Sequence, residues 1–145
     1  MRASGILLPV SSLPSPYGIG TLGRSAYEFV DFLKEAGQSY WQVLPIGPTS
    51  YGDSPYQSFS TFAGNPYFID LDLLCEEGLL TKEECEAYEW GNNPEQVDYK
   101  AVWDARFLLL KKAFIRGKDA PEIIEFRKEQ AFWIEDYALY MAVKT

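Results

Sequence analysis

Gly5-Ile6-Leu7-Leu8-Pro9 and Tyr40-Trp41-Gln42-Val43-Leu44-Pro45 are two short apolar runs, each stopped by a proline, and the residues between them decide the fold. An apolar run of this length bounded by Gly and Pro predicts a strand buried on both faces. Between the two, Ser25-Ala26-Tyr27-Glu28 has the spacing of a helix capping box. Ala26, Phe29, Val30, Leu33 and Ala36 then recur on one helical face, and Gly37 stands where a left-handed residue closes a helix. Two buried strands joined through a helix predict a right-handed βαβ unit with parallel strands. Both strands run into long loops on the same edge, Ser11 to Gly18 after the first and Gly47 to Gln57 after the second. That edge is where α/β folds place their sites.

Further along the chain the composition changes near residue 70. Eight of 11 glycines and seven of nine prolines lie in residues 1–66, which hold only four acids: Glu28, Asp31, Glu35 and Asp53. From Asp70 onward, 17 acids face 10 bases and the apolar residues fall into helical spacing. The chain therefore divides into a loop-rich α/β half over 1–70 and a helical, acidic half over 71–145. Thr81-Lys82-Glu83-Glu84 is a capping box for a helix over 82–89. Asp98 caps a longer helix over 99–116, with Val102, Ala105, Leu109 and Ala113 among its apolar positions and Gly117 as its stop. Asp119-Ala120-Pro121-Glu122 opens a last helical stretch to about Lys144, with a break expected near Glu129. No third strand pattern and no internal repeat appears.

Composition excludes several kinds of chemistry. The 145 residues contain no histidine, so Ser-His-Asp or Cys-His catalysis and His-ligated zinc are beyond this chain alone. Net charge is −8 and the 13 basic residues are scattered, which is not the footprint of a nucleic-acid binder. No apolar stretch approaches the roughly 20 residues a membrane span needs, and the first residues are too short a run for a signal peptide. A cytoplasmic location follows as the expectation. Cys75 and Cys85, ten apart in an acidic segment, are too few for a four-ligand metal site and read as reduced, structural thiols.

Gly18-Ile19-Gly20-Thr21-Leu22-Gly23 matches the G-x-G-x-x-G pattern of a dinucleotide cradle. Its context opposes that reading. Three prolines and a long loop separate Leu8 from Gly18, and the second strand ends in Leu44-Pro45-Ile46-Gly47-Pro48, where a ribose-binding acid should stand.

The loop after the second strand carries more chemistry: Gly47-Pro48-Thr49-Ser50-Tyr51-Gly52-Asp53-Ser54-Pro55-Tyr56-Gln57. It gathers two tyrosines, a carboxylate, three hydroxyls and an amide, with Gly52 and Pro55 restricting the backbone. Tyr56 is suited to stack on the apolar face of a pyranose while Ser54 and Gln57 take its hydroxyls. The same residues would equally serve as a well-packed loop plugging the end of a barrel.

Ser4-Gly5-Ile6-Leu7-Leu8, Ser12-Leu13-Pro14, Tyr17-Gly18-Ile19-Gly20, Trp41-Gln42-Val43-Leu44-Pro45, Gly52-Asp53-Ser54-Pro55-Tyr56-Gln57 and Gly64-Asn65-Pro66 follow one another as in the 4-alpha-glucanotransferases of glycoside hydrolase family 77. These are the amylomaltases or disproportionating enzymes. The resemblance spans essentially the whole chain and is densest over 4–72. The helical end, with Trp133 and Tyr137-Ala138-Leu139, is similar to that family's helical insertion before the third barrel strand. One departure is Pro9-Val10, where many members carry a histidine after the leucines.

The resemblance implies the N-terminal part of a (β/α)8 TIM barrel: its first two parallel strands, then a mainly α-helical insertion. It implies transfer of α-1,4-glucan segments among maltooligosaccharides, starch or glycogen-derived glucans by a retaining double displacement, without metal or organic cofactor. Retention needs two carboxyl groups about 5–5.5 Å apart. By the resemblance, the nucleophile and the acid/base lie on later strands beyond residue 145, so none of the catalytic acids is in this chain. What is left is one wall of the donor cleft, with Tyr56 stacking on the sugar and Asp53, Ser54 and Gln57 beside it. Tyr51 and Tyr99 resemble an outer glucan-binding pair, and Tyr99 reads equally well as an aromatic packing at a helix start. The competing expectation is a non-catalytic glucan-binding or interaction fragment.

Overall fold

The computed structural model describes residues 2–50 and 52–144. Strand β1 (Gly5–Leu7) pairs in parallel with β2 (Tyr40–Gln42), with Ile6 opposite Trp41, and helix α1 (Arg24–Glu35) makes the crossover between them. A short 3-10 turn, Val10–Ser12, follows β1, and another, Pro66–Phe68, ends the loop after β2. Five helices complete the order: α2 (Leu71–Glu76), α3 (Lys82–Glu86), α4 (Tyr99–Gly117), α5 (Pro121–Glu129) and α6 (Ala131–Lys144).

The parallel βαβ unit is as expected, but its strands are not buried on both faces. Ile6 is 41% exposed, Leu7 55% and Tyr40 65%. Two three-residue strands form the whole sheet among the described residues, so no neighbouring strand covers these side chains. Only the α1 side is packed, where Phe29 meets Trp41 edge to face at 5.1 Å and the Trp41 indole N–H donates to the Leu8 carbonyl at 2.8 Å.

The start of α1 also departs from expectation. Ser25 is not a cap: its hydroxyl donates to the Pro14 carbonyl at 2.8 Å, pinning the first loop to the helix. Gly23 holds the N-cap position, in an extended conformation, with its carbonyl accepting from Ala26 and Tyr27. Glycine is required there because a β-carbon would stand 2.0 Å from the Asp70 carboxylate. Gly20 is similarly constrained, since its β-carbon would meet the Val10 carbonyl at 2.0 Å. The glycines of the G-x-G-x-x-G stretch thus permit close approach of protein to protein. Gly37 closes α1 with φ of 68°, as read from the sequence.

In the second half the capping box at Thr81 is formed in both directions, Glu84 N–H to the Thr81 hydroxyl and Thr81 N–H to the Glu84 carboxylate, although α3 stops at Glu86 instead of 89. Asp98 caps α4 through the Ala101 N–H at 3.0 Å. The last stretch is broken at Gln130 into α5 and α6, one residue from the expected position. Helix α2 was not legible. It is a single short amphipathic segment whose cap, Asp70, accepts from Leu73 N–H and also from the Thr21 hydroxyl, tying the two halves together.

Three small cores hold the chain. Val10, Leu13 and Ala26 pack under α1; Ile19, Tyr67 and Val102 join the first half to α4. Tyr17, Leu71, Leu80, Cys85, Leu109 and Ala113 form the third, between α2, α3 and α4. Arg106 lies wholly buried beside that core. Its Nη1 donates to the Ile69 carbonyl at 2.9 Å and its guanidinium stands 6.0 Å above the Trp90 ring. Burial pulls its pKa down to about 10, with Asp70 opposing, so it stays charged at neutral pH.

Candidate functional site

The segments that follow β1 and β2 converge at the C-terminal ends of the strands. Pro9 and Ser11 from the first and Leu44, Pro45 and Asp53 from the second line a cavity of about 120 Å³, closed on one side by Tyr67 and Tyr99. Asp53 is the one acid in that lining. Its backbone has φ of 54°, the one left-handed non-glycine residue among those described, directly after Gly52 at 91°. Asp tolerates this conformation better than most residues because its short polar side chain bonds locally. The turn is closed by Asp53 N–H donating to the Ser50 carbonyl at 3.1 Å. Burial raises the pKa of the Asp53 carboxyl. Burial first, and then the Asp53 charge, raise the hydroxyl pKa values of both Tyr67, to about 12, and Tyr99.

Immediately beyond, Gln57 N–H donates to the Ser54 carbonyl at 3.1 Å and Tyr56 N–H to the Ser54 hydroxyl at 3.4 Å. This turn carries the Tyr56 ring outward, leaving the residue 73% exposed. Gln57 is exposed as well, and Ser54 is half-buried. Tyr51 lies outside the described residues. Tyr99 opens α4 and packs against Tyr67 with ring centroids 5.9 Å apart. Its ring therefore serves a packing role at the loop–helix junction, and the residue also lines the small cavity.

Tyr56 also borders a broad open groove of about 710 Å³ that shares Pro45 and Pro55 with the small cavity. Its opposite side is helix α6. Phe62 stacks on Trp133 at 5.8 Å and meets Phe132 edge to face at 5.2 Å, while Phe59 stacks on Tyr137 at 6.5 Å. The loop that carries Tyr56 is thus held by aromatic contacts from the far end of the chain. These partners were missed in the sequence reading, although Trp133, Tyr137 and Tyr140 at helical spacing mark one face of α6. Among the described residues, no group of three or more His, Cys, Asp or Glu side chains is arranged to hold a metal ion. The cavity lining sets a single carboxylate, Asp53, among aromatic rings and hydroxyls, and one acid does not supply an acid/base pair.

The sequence profile of the family described as 4-alpha-glucanotransferase matches residues 8–145. The chain belongs to the 4-alpha-glucanotransferase family. Members of that family align with nearly all of it. The 4-alpha-glucanotransferase of Clostridium butyricum is 54% identical over 137 residues, covering 93% of this chain and 28% of the relative. That of Thermus thermophilus is 53% identical over 149 residues, covering 99% of this chain and 29% of the relative. The chloroplastic/amyloplastic 4-alpha-glucanotransferase of Solanum tuberosum is 35% identical over 153 residues, covering 98% and 26%. The fold agrees: an amylomaltase from Streptococcus agalactiae, solved in complex with acarbose, superposes with a TM-score of 0.93 at 45% identity over 99% of this chain and 30% of that one. This glucanotransferase-family chain therefore spans under a third of the length of the relatives it matches. No helix among its described residues is long and apolar enough to cross a membrane.

Proposed function

We propose that the chain is the opening segment of a (β/α)8 barrel and supplies one wall of the donor cleft of a 4-alpha-glucanotransferase. In this reading residues 1–70 begin the barrel and residues 71–145 form a helical insertion subdomain. The parallel β1-α1-β2 unit supports it, as do the apolar side chains of Ile6 and Leu7 exposed on the strands, which further strands would cover. A complete barrel takes about 250 residues, and the catalytic carboxyl pair is then contributed by chain outside this segment.

The reaction proposed for the protein at family length is a double displacement with retention. One carboxylate attacks the anomeric carbon while a carboxylic acid protonates the departing glucan oxygen. The same acid, now a base, takes the proton of an acceptor sugar hydroxyl as that oxygen displaces the carboxylate. One α-1,4 bond is broken and another made, so no oxidant, metal or organic cofactor is required. A third acid on the later strands assists by stabilising the distorted sugar. Donors and acceptors are maltooligosaccharides and starch or glycogen-derived α-1,4-glucans in a cytoplasmic setting, with no role for nucleic acid or membrane.

Within this wall Tyr56 is the stacking platform under the reacting sugar, and Ser54, Asp53 and Gln57 orient its hydroxyls. Tyr51 and Tyr99 serve an outer glucan site. The carrying observation is the Tyr56 ring, 73% exposed at the border of an aromatic groove that adjoins the strand-end cavity. An aromatic face left open beside hydroxyls and one carboxylate is the surface a pyranose chain uses. With Asp53 as the one acid lining the cavity, these 145 residues by themselves lack the carboxyl pair that transfer needs.

The test is incubation of the family-length protein with maltotriose, before and after exhaustive chelation. Glucose and longer maltooligosaccharides should appear at equal rates in both arms. Absence of transfer would refute the activity, and loss only under chelation would refute the metal-free mechanism.

A further inference from the structure

Cys75 and Cys85 have no part in the proposed reaction, yet the fold brings their sulfurs to 3.9 Å from each other. Cys75 lies in α2 and Cys85 in α3, and the two helices pack side by side across the Gly78 turn. Both are free thiols. Their surroundings differ. Cys85 is wholly buried in the core with Tyr17, Leu71 and Leu109, whereas Cys75 is only half-buried at its edge. Cys85 is also held from its backbone, since its carbonyl accepts from the Trp90 indole N–H at 2.9 Å. A small oxidant thus reaches Cys75, and the nearest group able to react with the product is Cys85.

We propose that this pair is an oxidative modification site, at which a hydroperoxide converts the two thiols into an intrachain disulfide that staples α2 to α3. The Cys75 sulfur attacks the hydroperoxide, forming an S–O bond as the O–O bond breaks, and the thiol proton leaves with the departing oxygen as water or alcohol. The Cys85 sulfur then attacks the Cys75 sulfenic acid. The S–S bond forms, the S–O bond breaks, and the hydroxyl leaves with the Cys85 proton as water. The thiols lose two electrons and the hydroperoxide gains them. The sulfurs must close from 3.9 Å to about 2.05 Å, a movement within the reach of side-chain rotation plus a small shift of either short helix.

The neighbours shape the kinetics. Burial, then the hydrogen bond with Cys75 and its charge, and more weakly Asp72 and Glu84, push the Cys85 thiol up to about 12. Cys85 is therefore a poor first nucleophile, which leaves attack on the oxidant to Cys75. Because the second step is intramolecular between groups already in contact, it outruns a second oxidation of Cys75 to sulfinic acid.

The experiment treats the folded, reduced family-length protein with hydrogen peroxide, quenches with an alkylating reagent and maps tryptic peptides. Trypsin cuts after Lys82, between the two cysteines, so the disulfide appears as peptide 35–82 joined to peptide 83–100. That linked pair should be the main product at these cysteines. It should form at least about tenfold faster in the native protein than in the same protein unfolded in urea. The oxidised protein should melt several degrees higher than the reduced one, and a dithiol reductant should reverse the shift. Cys85→Ser should leave a Cys75 sulfenic acid that a cyclic dione traps, and wild type should give little of that adduct. Sulfinic acid at Cys75 as the main wild-type product, linkage no faster than in urea, or an unchanged melting temperature would each overturn the proposal. The native-against-urea comparison needs only wild type, so it holds even if the serine variant does not fold.

Discussion

Tyr67 and Tyr99 face each other with ring centroids 5.9 Å apart and planes inclined at 54°. One closes the loop that leaves β2, the other opens α4, and Phe107 braces Tyr67 from behind at 5.9 Å. Through this contact the helical half of the chain supports the edge on which Asp53 and Tyr56 sit.

The pair gives Tyr99 a testable double role. Tyr99→Ala should cost about 1–3 kcal/mol of stability through lost aromatic packing, and should also weaken handling of long glucans. Tyr99→Phe should keep the stability. Tyr51→Ala should impair long glucans while leaving maltotriose nearly untouched. Unfolding curves and kinetics on short and long donors separate these outcomes; a Tyr99→Ala protein as stable as wild type would contradict the packing role.

Arg106 is a buried cation whose Nε and Nη2 have no hydrogen-bond partner among the described residues. Replacing such a charge with an apolar side chain of similar length removes a desolvation cost together with one hydrogen bond. Arg106→Met should therefore stay within about 1 kcal/mol of wild type. Arg106→Ala should lose roughly 2–4 kcal/mol by leaving a void beside Leu109 and Trp90. Equal losses in the two variants on urea unfolding would show that the Ile69 contact outweighs the burial cost.

Glu84 couples α3 to α4. Its carboxylate accepts two hydrogen bonds from Arg116, at 2.7 and 2.8 Å, and faces Lys112 at 3.6 Å. The Arg116 contact chiefly holds its pKa at about 2, below the ordinary 4.5. A carboxyl depressed in the folded state stabilises above its unfolded pKa, and that contribution disappears as pH falls through the folded value. The loss should therefore run from about pH 4.5 down to about pH 2. Glu84→Gln should flatten the stability profile in that window, as followed by thermal melts across pH; an unchanged slope would assign it to other acids.

Much of this architecture was legible because local signals agreed with tertiary contacts. Leu7, Trp41 and the α1 periodicity specify the parallel βαβ unit, Asp98 caps α4, which runs through Gly117 and is capped at Lys118 where Gly117 was expected as the stop, and Thr81 with Glu84 make their capping box. Where expectation failed, a distant residue was the cause. Ser25 is drawn off its capping role by the Pro14 carbonyl, and Gly23 is fixed by Asp70, neither of which is visible in a local window. Helix α2 has only six residues, too few for a periodic pattern to declare itself. At the candidate site, the composition of the 47–57 loop was readable, but its bracing by Trp133 and Tyr137 joins residues more than 70 positions apart.

The most direct measurement is the steady-state kinetics of Tyr56→Ala and Tyr56→Phe on maltotriose, each with its melting temperature, in the family-length protein. Removing the ring face should loosen the alignment of the scissile bond by about 1 Å. That should lower kcat/KM on the order of 100-fold, or roughly 2–3 kcal/mol, with the fall visible in kcat. Tyr56→Phe keeps the face and should be far milder. Because Tyr56 is 73% exposed, neither change should move the melting temperature by more than a degree or two. Near-normal turnover by Tyr56→Ala together with a lowered melting temperature would make Tyr56 a packing residue and contradict the cleft assignment.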